Sequence, residues 1–152
     1  MSKPMLGQIE RAQSNPTVST LWKIAQGLNV PFTAFIEETE EDVLLVNEED
    51  LTAITEDHDR YEVLPVFPQT PEQPFEVYKV ALHPGCNYAS TPHPTGVKEY
   101  LWITHGEVMV EIGGESYRVI AGQGLKFKAD QPHSYLNQAG TSAEMIMIIY
   151  YP

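Results

Sequence analysis

From residue 61 onward the chain is written in short segments of period two, broken by Pro, Gly and Asn, and that pattern admits few architectures. YEVLPVF, FEVYKVAL, EYLWIT, EVMVEI, YRVI, LKFK and AEMIMIIYY are seven strand candidates spaced about ten residues apart. Strands this short and this evenly spaced pair antiparallel, in a sandwich or a barrel. Alternation assigns their faces. Val108, Val110 and Ile112 point one way and Glu107, Met109 and Glu111 the other, while Leu125 and Phe127 alternate with Lys126 and Lys128. Those strands have one wet face. MIMIIYY is apolar on both faces, which predicts a central strand or one buried at a subunit contact. Thr104-His105-Gly106-Glu107 and Ile112-Gly113-Gly114-Glu115 are predicted hairpin loops, the second with the Gly-Gly pair that primed turns favour.

The start of the chain follows another period. Apolar residues recur there at helical spacing, and three short helices are predicted between residues 2 and 37. Ser2 caps the first, with Pro4 in its first turn and Met5, Leu6 and Ile9 on its apolar side. Asn15-Pro16 opens the second, over which Val18, Leu21, Trp22, Ala25 and Leu28 recur, and Asn29 supplies a left-handed stop. Pro31 opens the third, which carries Phe32, Phe35 and Ile36. A segment below about 40 residues seldom folds alone. Its apolar side chains are therefore expected to pack on the rest of the protein, on a second subunit, or on helices that the chain lacks.

An acidic stretch separates the two patterns. Residues 37 to 59 hold eleven Asp and Glu and no Lys or Arg, within a chain of formal net charge −12. Such a run reads as a solvated connector, with VLLVN at 43 to 47 as a short edge strand inside it. The predicted organisation is a helical segment at 1–37, an acidic linker at 38–60 and a β domain at 61–152. Only Lys3, Arg11 and Lys23 are basic in the first forty residues, too few to neutralise many phosphates. No apolar run reaches the roughly 18 residues of a membrane helix, and MSKPMLGQIERAQ lacks the core of a secretory signal, which predicts a cytoplasmic protein. The single cysteine, Cys86, has no partner for an internal disulfide and is expected to pack rather than react.

Chemistry inside a barrel needs polar side chains turned inward among apolar ones. Thr91 and His93 lie two apart, Glu99 shares a strand face with Leu101 and Ile103, and His133 follows Pro132 at the start of a strand. His93, Glu99 and His133 are ligand types. Gly85, five residues, Thr91-Pro92-His93, Glu99, six residues and Gly106 resembles the first cupin motif; Gly122, then His133 and Asn137, resembles the second. The resemblance covers about residues 61 to 152 and implies a mainly β fold, the cupin double-stranded β-helix or jelly roll, with the motif side chains inside its mouth. Two departures bear on chemistry. Thr91 stands where the motif has its first His, and Glu99 falls one residue later than usual, with Lys98 in the customary place. A Thr hydroxyl is a poor ligand for Zn, Fe or Mn, so two His and one carboxylate remain. The preferred reading has the histidines hydrogen-bonded to Glu99 or to a bound organic ligand, with no cofactor required; the alternative is a divalent Zn, Fe or Mn ion on His93, Glu99 and His133.

SKPMLGQIERAQSNPTVSTLWKIAQGLNVPF resembles the XRE class of helix-turn-helix regulators, whose pattern runs L-x-x-I-E-R-G-x-x-x-P-x-x-x-T-L-x-K-I-A. With a cupin-like domain after it, the whole resembles DNA-binding regulators that carry a C-terminal cupin sensor. By that resemblance Lys3, Pro4 and Gln8 lie where base edges are contacted and Arg11 near the phosphates, while Ala12 replaces the usual Gly. XRE domains carry two more helices before this point, and Met1 stands where the turn would be, so the chain is expected to bind DNA weakly or not at all. The resemblance further implies a non-enzymatic protein and a small-molecule effector held by Ser90, His93, Glu99, His133, Tyr135 and Asn137; the two-fold symmetry of palindromic DNA and the two apolar faces of the last strand predict a homodimer. Trp102 has the opposite strand parity from Glu99 and fits that set least. Two other uses of the fold are a metal-dependent enzyme of isomerase or oxygenase type, and a cupin that serves only to dimerise.

Overall fold

The computed structural model describes residues 3–11, 13–14, 16–28 and 43–152, apart from the side chains of Lys3, Pro4 and Val18. These fall in two units, Met1–Leu44 and Leu45–Pro152. The first unit contains helix α1 (Lys3–Glu10) and helix α2 (Val18–Leu28). Helix α2 starts later than Asn15-Pro16 predicts, because Thr17 is its cap. The Thr17 hydroxyl accepts the Thr20 N–H at 3.3 Å and the Thr17 carbonyl accepts the Leu21 N–H at 3.0 Å. Ile24 and Ala25 on this helix are buried. The predicted third helix and the positions Ser2, Asn15 and Asn29 lie outside the described residues. No described helix is long and apolar enough to cross a membrane.

The second unit contains the predicted sandwich but begins before residue 61, and a strand at Ile54–Glu56 lies within the stretch expected to be a linker. Its strands are β1 (Ile54–Glu56), β2 (Tyr61–Phe67), β3 (Phe75–Leu82), β4 (Asn87–Ser90), β5 (Lys98–His105), β6 (Glu107–Ile112), β7 (Glu115–Ile120), β8 (Gly124–Lys128), β9 (His133–Leu136) and β10 (Ala143–Tyr150). One sheet runs β1-β2-β3-β10-β5-β8 and the other β4-β9-β6-β7, with every pairing antiparallel. The seven predicted strands are all present; β1, β4 and β9 are additions of three or four residues, too short for period two to register. β10 pairs along its length with β3 on one side and β5 on the other, which is where its apolar faces place it. The core between the sheets is built from alternate residues, among them Val80, Leu82, Leu101, Ile103, Val108, Val110, Met145 and Met147.

Two loop expectations divide. Ile112 and Glu115 are register partners across Gly113 and Gly114, whose φ values of +58 and +91 make the predicted two-residue primed hairpin between β6 and β7. Thr104 to Glu107 is not a hairpin. β5 and β6 belong to different sheets, and Gly106, at φ +71, turns the chain from one sheet into the other. The turn passes so close to β10 that a Cβ on Gly106 would stand 3.0 Å from the Ser142 carbonyl oxygen and 3.1 Å from the Ala143 Cα. The predicted edge strand at 43 to 47 is also absent: the chain bends at Val43 and residues 44–47 have no ladder partner among the described residues.

The β1–β2 connection holds three successive non-glycine residues, Asp57, His58 and Asp59, in the left-handed region, at φ of 50, 56 and 63. Each such residue costs about 1 kcal/mol. Asp57 offsets part of that: it accepts the Asn87 N–H at 2.7 Å and the Arg60 guanidinium at 3.0 Å, tying the turn to the start of β4. The Asn87 amide, followed by Arg60, holds the Asp57 carboxyl below the usual carboxylate range. A carboxyl whose native pKa is depressed stabilises the fold in full above its ordinary value and loses that contribution as pH falls through the native one. Asp57→Asn is therefore expected to lower the melting temperature at pH 7, with the gap to wild type narrowing towards pH 3. Gly106→Ala, strained in φ and in contact with β10, is expected to cost about 2 kcal/mol in urea unfolding.

Candidate functional site

Period two places Glu99, Leu101 and Ile103 on the inner face of β5, and all three are buried. β9 begins at His133 and brings Tyr135 to the same interior two residues later. His93 arrives on the loop after β4, clipped to the end of β8 by its backbone N–H on the Ala129 carbonyl at 2.9 Å. Two neighbouring elements and a third more than thirty residues on thus converge. His93 Nε2 lies 3.0 Å and His133 Nε2 3.2 Å from one and the same oxygen, Glu99 Oε1. The other oxygen, Oε2, accepts the hydroxyl of Tyr135. His133 and Glu99 side chains are shut off from solvent, and His93, 23% exposed, is the open side of the group.

The protons follow from the partners. His133 Nδ1 is 2.8 Å from the Gln131 carbonyl, which can only accept, so Nδ1 carries the hydrogen. The Nε2 lone pair of neutral His133 then faces the Glu99 carboxylate, and no hydrogen bond reaches that buried atom. Two electron-rich atoms 3.2 Å apart in a dry interior require a cation between them. Burial works against the charged form of His133, but the Glu99 carboxylate and the Gln131 carbonyl outweigh it and hold its pKa above the usual histidine value. A proton answers the requirement in one way; a divalent ion answers it in another. Ligands cis on an ion with bonds of about 2.1 Å stand about 3 Å apart, and the observed separations are 3.0 and 3.2 Å. His93, Glu99 and His133 each offer a ligand atom, all within 4.8 Å of one another. The donor set fits Zn, Fe or Mn.

Below the carboxylate the interior is filled by phenols. Tyr61 stacks on Tyr88 with ring centroids 4.1 Å apart and on Tyr135 at 6.0 Å. Burial first, then the Glu99 charge, raises the pKa of Tyr61 and of Tyr135 well above the usual tyrosine value, so both remain neutral donors. Tyr151 meets His93 edge-on at 6.4 Å and donates its hydroxyl to Glu76 at 2.8 Å; burial and Glu76 push its pKa up to about 12. None of Tyr61, Tyr88 and Tyr151 carries a sequence signal: Tyr61 and Tyr151 lie outside both motifs, and Tyr88 falls among the five residues that the first motif leaves unspecified.

The remaining predicted site residues separate. Ser90, the register partner of His133, is half-buried with its hydroxyl directed to the Thr91 carbonyl at 3.4 Å, and Thr91 is exposed on the loop. Asn137 is spent on the backbone: its amide donates to the Leu82 and Thr141 carbonyls at 2.8 and 2.9 Å, and its oxygen accepts the Ala139 N–H. Trp102 lies on the outer face, as its parity requires. Cys86 is buried and burial pushes its thiol up to about 11, which makes it a packing residue. Gln8 and Arg11 are exposed on and just after α1, the Arg11 Nε donating to Gln13 at 3.3 Å; Lys3 and Pro4 lie in α1 with side chains outside the description.

Known proteins are similar to both units. The helix-turn-helix family model matches residues 1–35 and the cupin domain model residues 78–149. HTH-type transcriptional regulator SutR of Escherichia coli K12 is 37% identical over 152 residues, covering all of this chain and 82% of the relative. The crystal structure of the cupin domain of an XRE family transcriptional regulator from Enterobacter cloacae is 33% identical, with a TM-score of 0.59, and covers 61% of this chain and 98% of that one. Hydroxypropylphosphonic acid epoxidase from S. wedmorenis, 15% identical with a TM-score of 0.60 over 89% of this chain and 75% of that one, shares the fold alone. The paired motifs, the sandwich they fold into and the extent of the match to SutR together make this chain a member of the XRE family of HTH-type transcriptional regulators that carry a cupin domain.

Proposed function

We propose that the cupin domain of this regulator is its sensor, binding a small-molecule effector at the face formed by His93, Glu99 and His133. The observation that carries the reading is the buried Nε2 of His133, which has Glu99 Oε1 at 3.2 Å beside His93 and can face that carboxylate only with a cation between them. A polar atom in that position is made for a cation or for a ligand that brings one. The effector enters from the His93 side, since Tyr61, Tyr88 and Tyr135 fill the interior on the other. A divalent ion held there supplies a Lewis-acidic anchor for an oxygen-bearing effector. Ser90 lines the approach next to His133, and Tyr135 fixes Glu99 so that Oε1 alone is offered. The regulator family favours effector binding over turnover at this site.

Regulation is then linkage: the effector binds one arrangement of a homodimer better than another and shifts how the helical units present α1, whose Lys3, Pro4 and Gln8 meet base edges with Arg11 at phosphate. An effector that binds both arrangements equally shifts nothing, so the differential affinity is the quantity of interest.

Metal analysis by mass spectrometry on protein purified without chelator is expected to find about one divalent ion per chain, lost in His93→Ala and His133→Ala, with a chelator lowering the wild-type melting temperature. Absence of metal together with no thermal shift on adding Zn, Fe or Mn would sink the metal-anchored reading. Tyr135→Phe leaves Glu99 Oε2 buried without its donor, and urea unfolding is expected to show a loss of about 1–3 kcal/mol.

A further inference from the structure

The outer face of the six-stranded sheet is apolar where a lone sandwich wants it wet. Phe75, Tyr100, Trp102, Ile146, Ile148 and Tyr150 form it, in cross-strand registers that run Phe75↔Tyr150, Tyr150↔Lys98, Ile148↔Tyr100 and Ile146↔Trp102. Trp102 is 53% exposed, and two grooves of about 540 and 350 Å³ that share Tyr100 and Ile148 run over this face. Lysines close its β8 side. Lys98 stands directly opposite Lys128, and Lys126 opposite Tyr100, with its ammonium 5.7 Å from that ring. Like charges directly opposed across a ladder are destabilising unless an anion answers them. Beyond them β8 is an open sheet edge, with no strand on its far side among the described residues.

The same chain carries a second exposed apolar element. Val43, Leu44 and Leu45 are 83%, 59% and 83% exposed, in a segment without a ladder partner among the described residues. Acids flank them on both sides, Glu40, Glu41 and Asp42 before and Glu48, Glu49 and Asp50 after. Glu48 already grips a lysine of the outer face, its carboxylate accepting Lys79 Nζ at 2.9 Å. An apolar, acid-flanked strand segment and an apolar, lysine-flanked face with an open edge are complementary surfaces, and when one chain bears both, two copies satisfy each other through a two-fold axis.

We propose that a second copy of this chain covers the outer face of the six-stranded sheet, laying its residues 43–46 along the free edge of β8 with its acidic flanks on Lys98, Lys126 and Lys128. The inference rests on the homodimeric reading above and adds the surfaces through which it forms. The residues that the sequence marks as an edge strand become one only in the partner's sheet.

The test uses the full chain with Leu45→Cys and Trp102→Cys made separately, the native Cys86 being buried. Oxidation of the two variants mixed is expected to give a disulfide-linked pair of chains, and neither variant alone should give it. A Leu45→Cys/Trp102→Cys double variant that closes its disulfide within one chain, at single-chain mass on a non-reducing gel, overturns the inference, since the arm then lies on its own sheet. Light scattering separates the remaining outcomes. Two-chain mass with no mixed disulfide places the dimer on another surface and overturns this proposal while the homodimer stands; single-chain mass for the wild type at all concentrations overturns both. As an independent arm, Lys126→Glu and Lys128→Glu together are expected to weaken dimerisation at least tenfold at low salt while leaving the melt of the isolated chain cooperative, and an unchanged dimerisation constant counts against the charge pairing.

Discussion

One buried carboxylate organises the second unit. Glu99 is 1% exposed, at the centre of a sandwich whose other inward residues are almost all apolar, and an ionised group there needs every partner it has. Three partners come from two places: the hydroxyl of Tyr135 and the imidazole of His133 from β9, and the imidazole of His93 from the loop after β4. Those elements are drawn to one point by the sheet pairings, since β9 lies between β4 and β6 while β5 belongs to the opposite sheet. The carboxylate therefore bridges the two sheets across the core. Tyr135 restrains one of its oxygens and leaves the other to the histidines, so the shape of the site is set before any ligand arrives.

Much of this was legible in the chain. Seven strands, their inward faces, the central position of MIMIIYY and the Gly-Gly hairpin follow from period two and turn chemistry, because in those places local pattern and tertiary burial agree. Glu99 and His133 were identifiable from motif spacing. What failed was non-local. Thr104 to Glu107 has the composition of a hairpin, yet whether the next strand pairs or crosses to the other sheet is decided by partners elsewhere in the chain. Asn137 has a ligand's side chain in a motif position, but three backbone groups of its own turn region and of β3 consume it. The tyrosine stack of Tyr61, Tyr88 and Tyr135 joins three strands and has no linear signature at all.

The misplaced strand at 43 to 47 is of a different kind. Its sequence is strand-like, yet the chain bends at Val43 and residues 44–47 have no strand neighbour among the described residues. A strand-like pattern that one chain leaves unpaired is what the proposed second copy would complete.

The order of strands in the six-stranded sheet has a consequence for biosynthesis. β10 comes last of the ten strands, yet it stands between β3 and β5 and supplies Met145, Met147 and Ile149 to the core. Until residues 143–150 have left the ribosome, β3 and β5 have no neighbour in common, and the two halves of that sheet present facing raw edges. Folding of the sandwich is thus gated by the emergence of β10 rather than advancing strand by strand, and a nascent chain stalled before Ala143 is the form most exposed to aggregation.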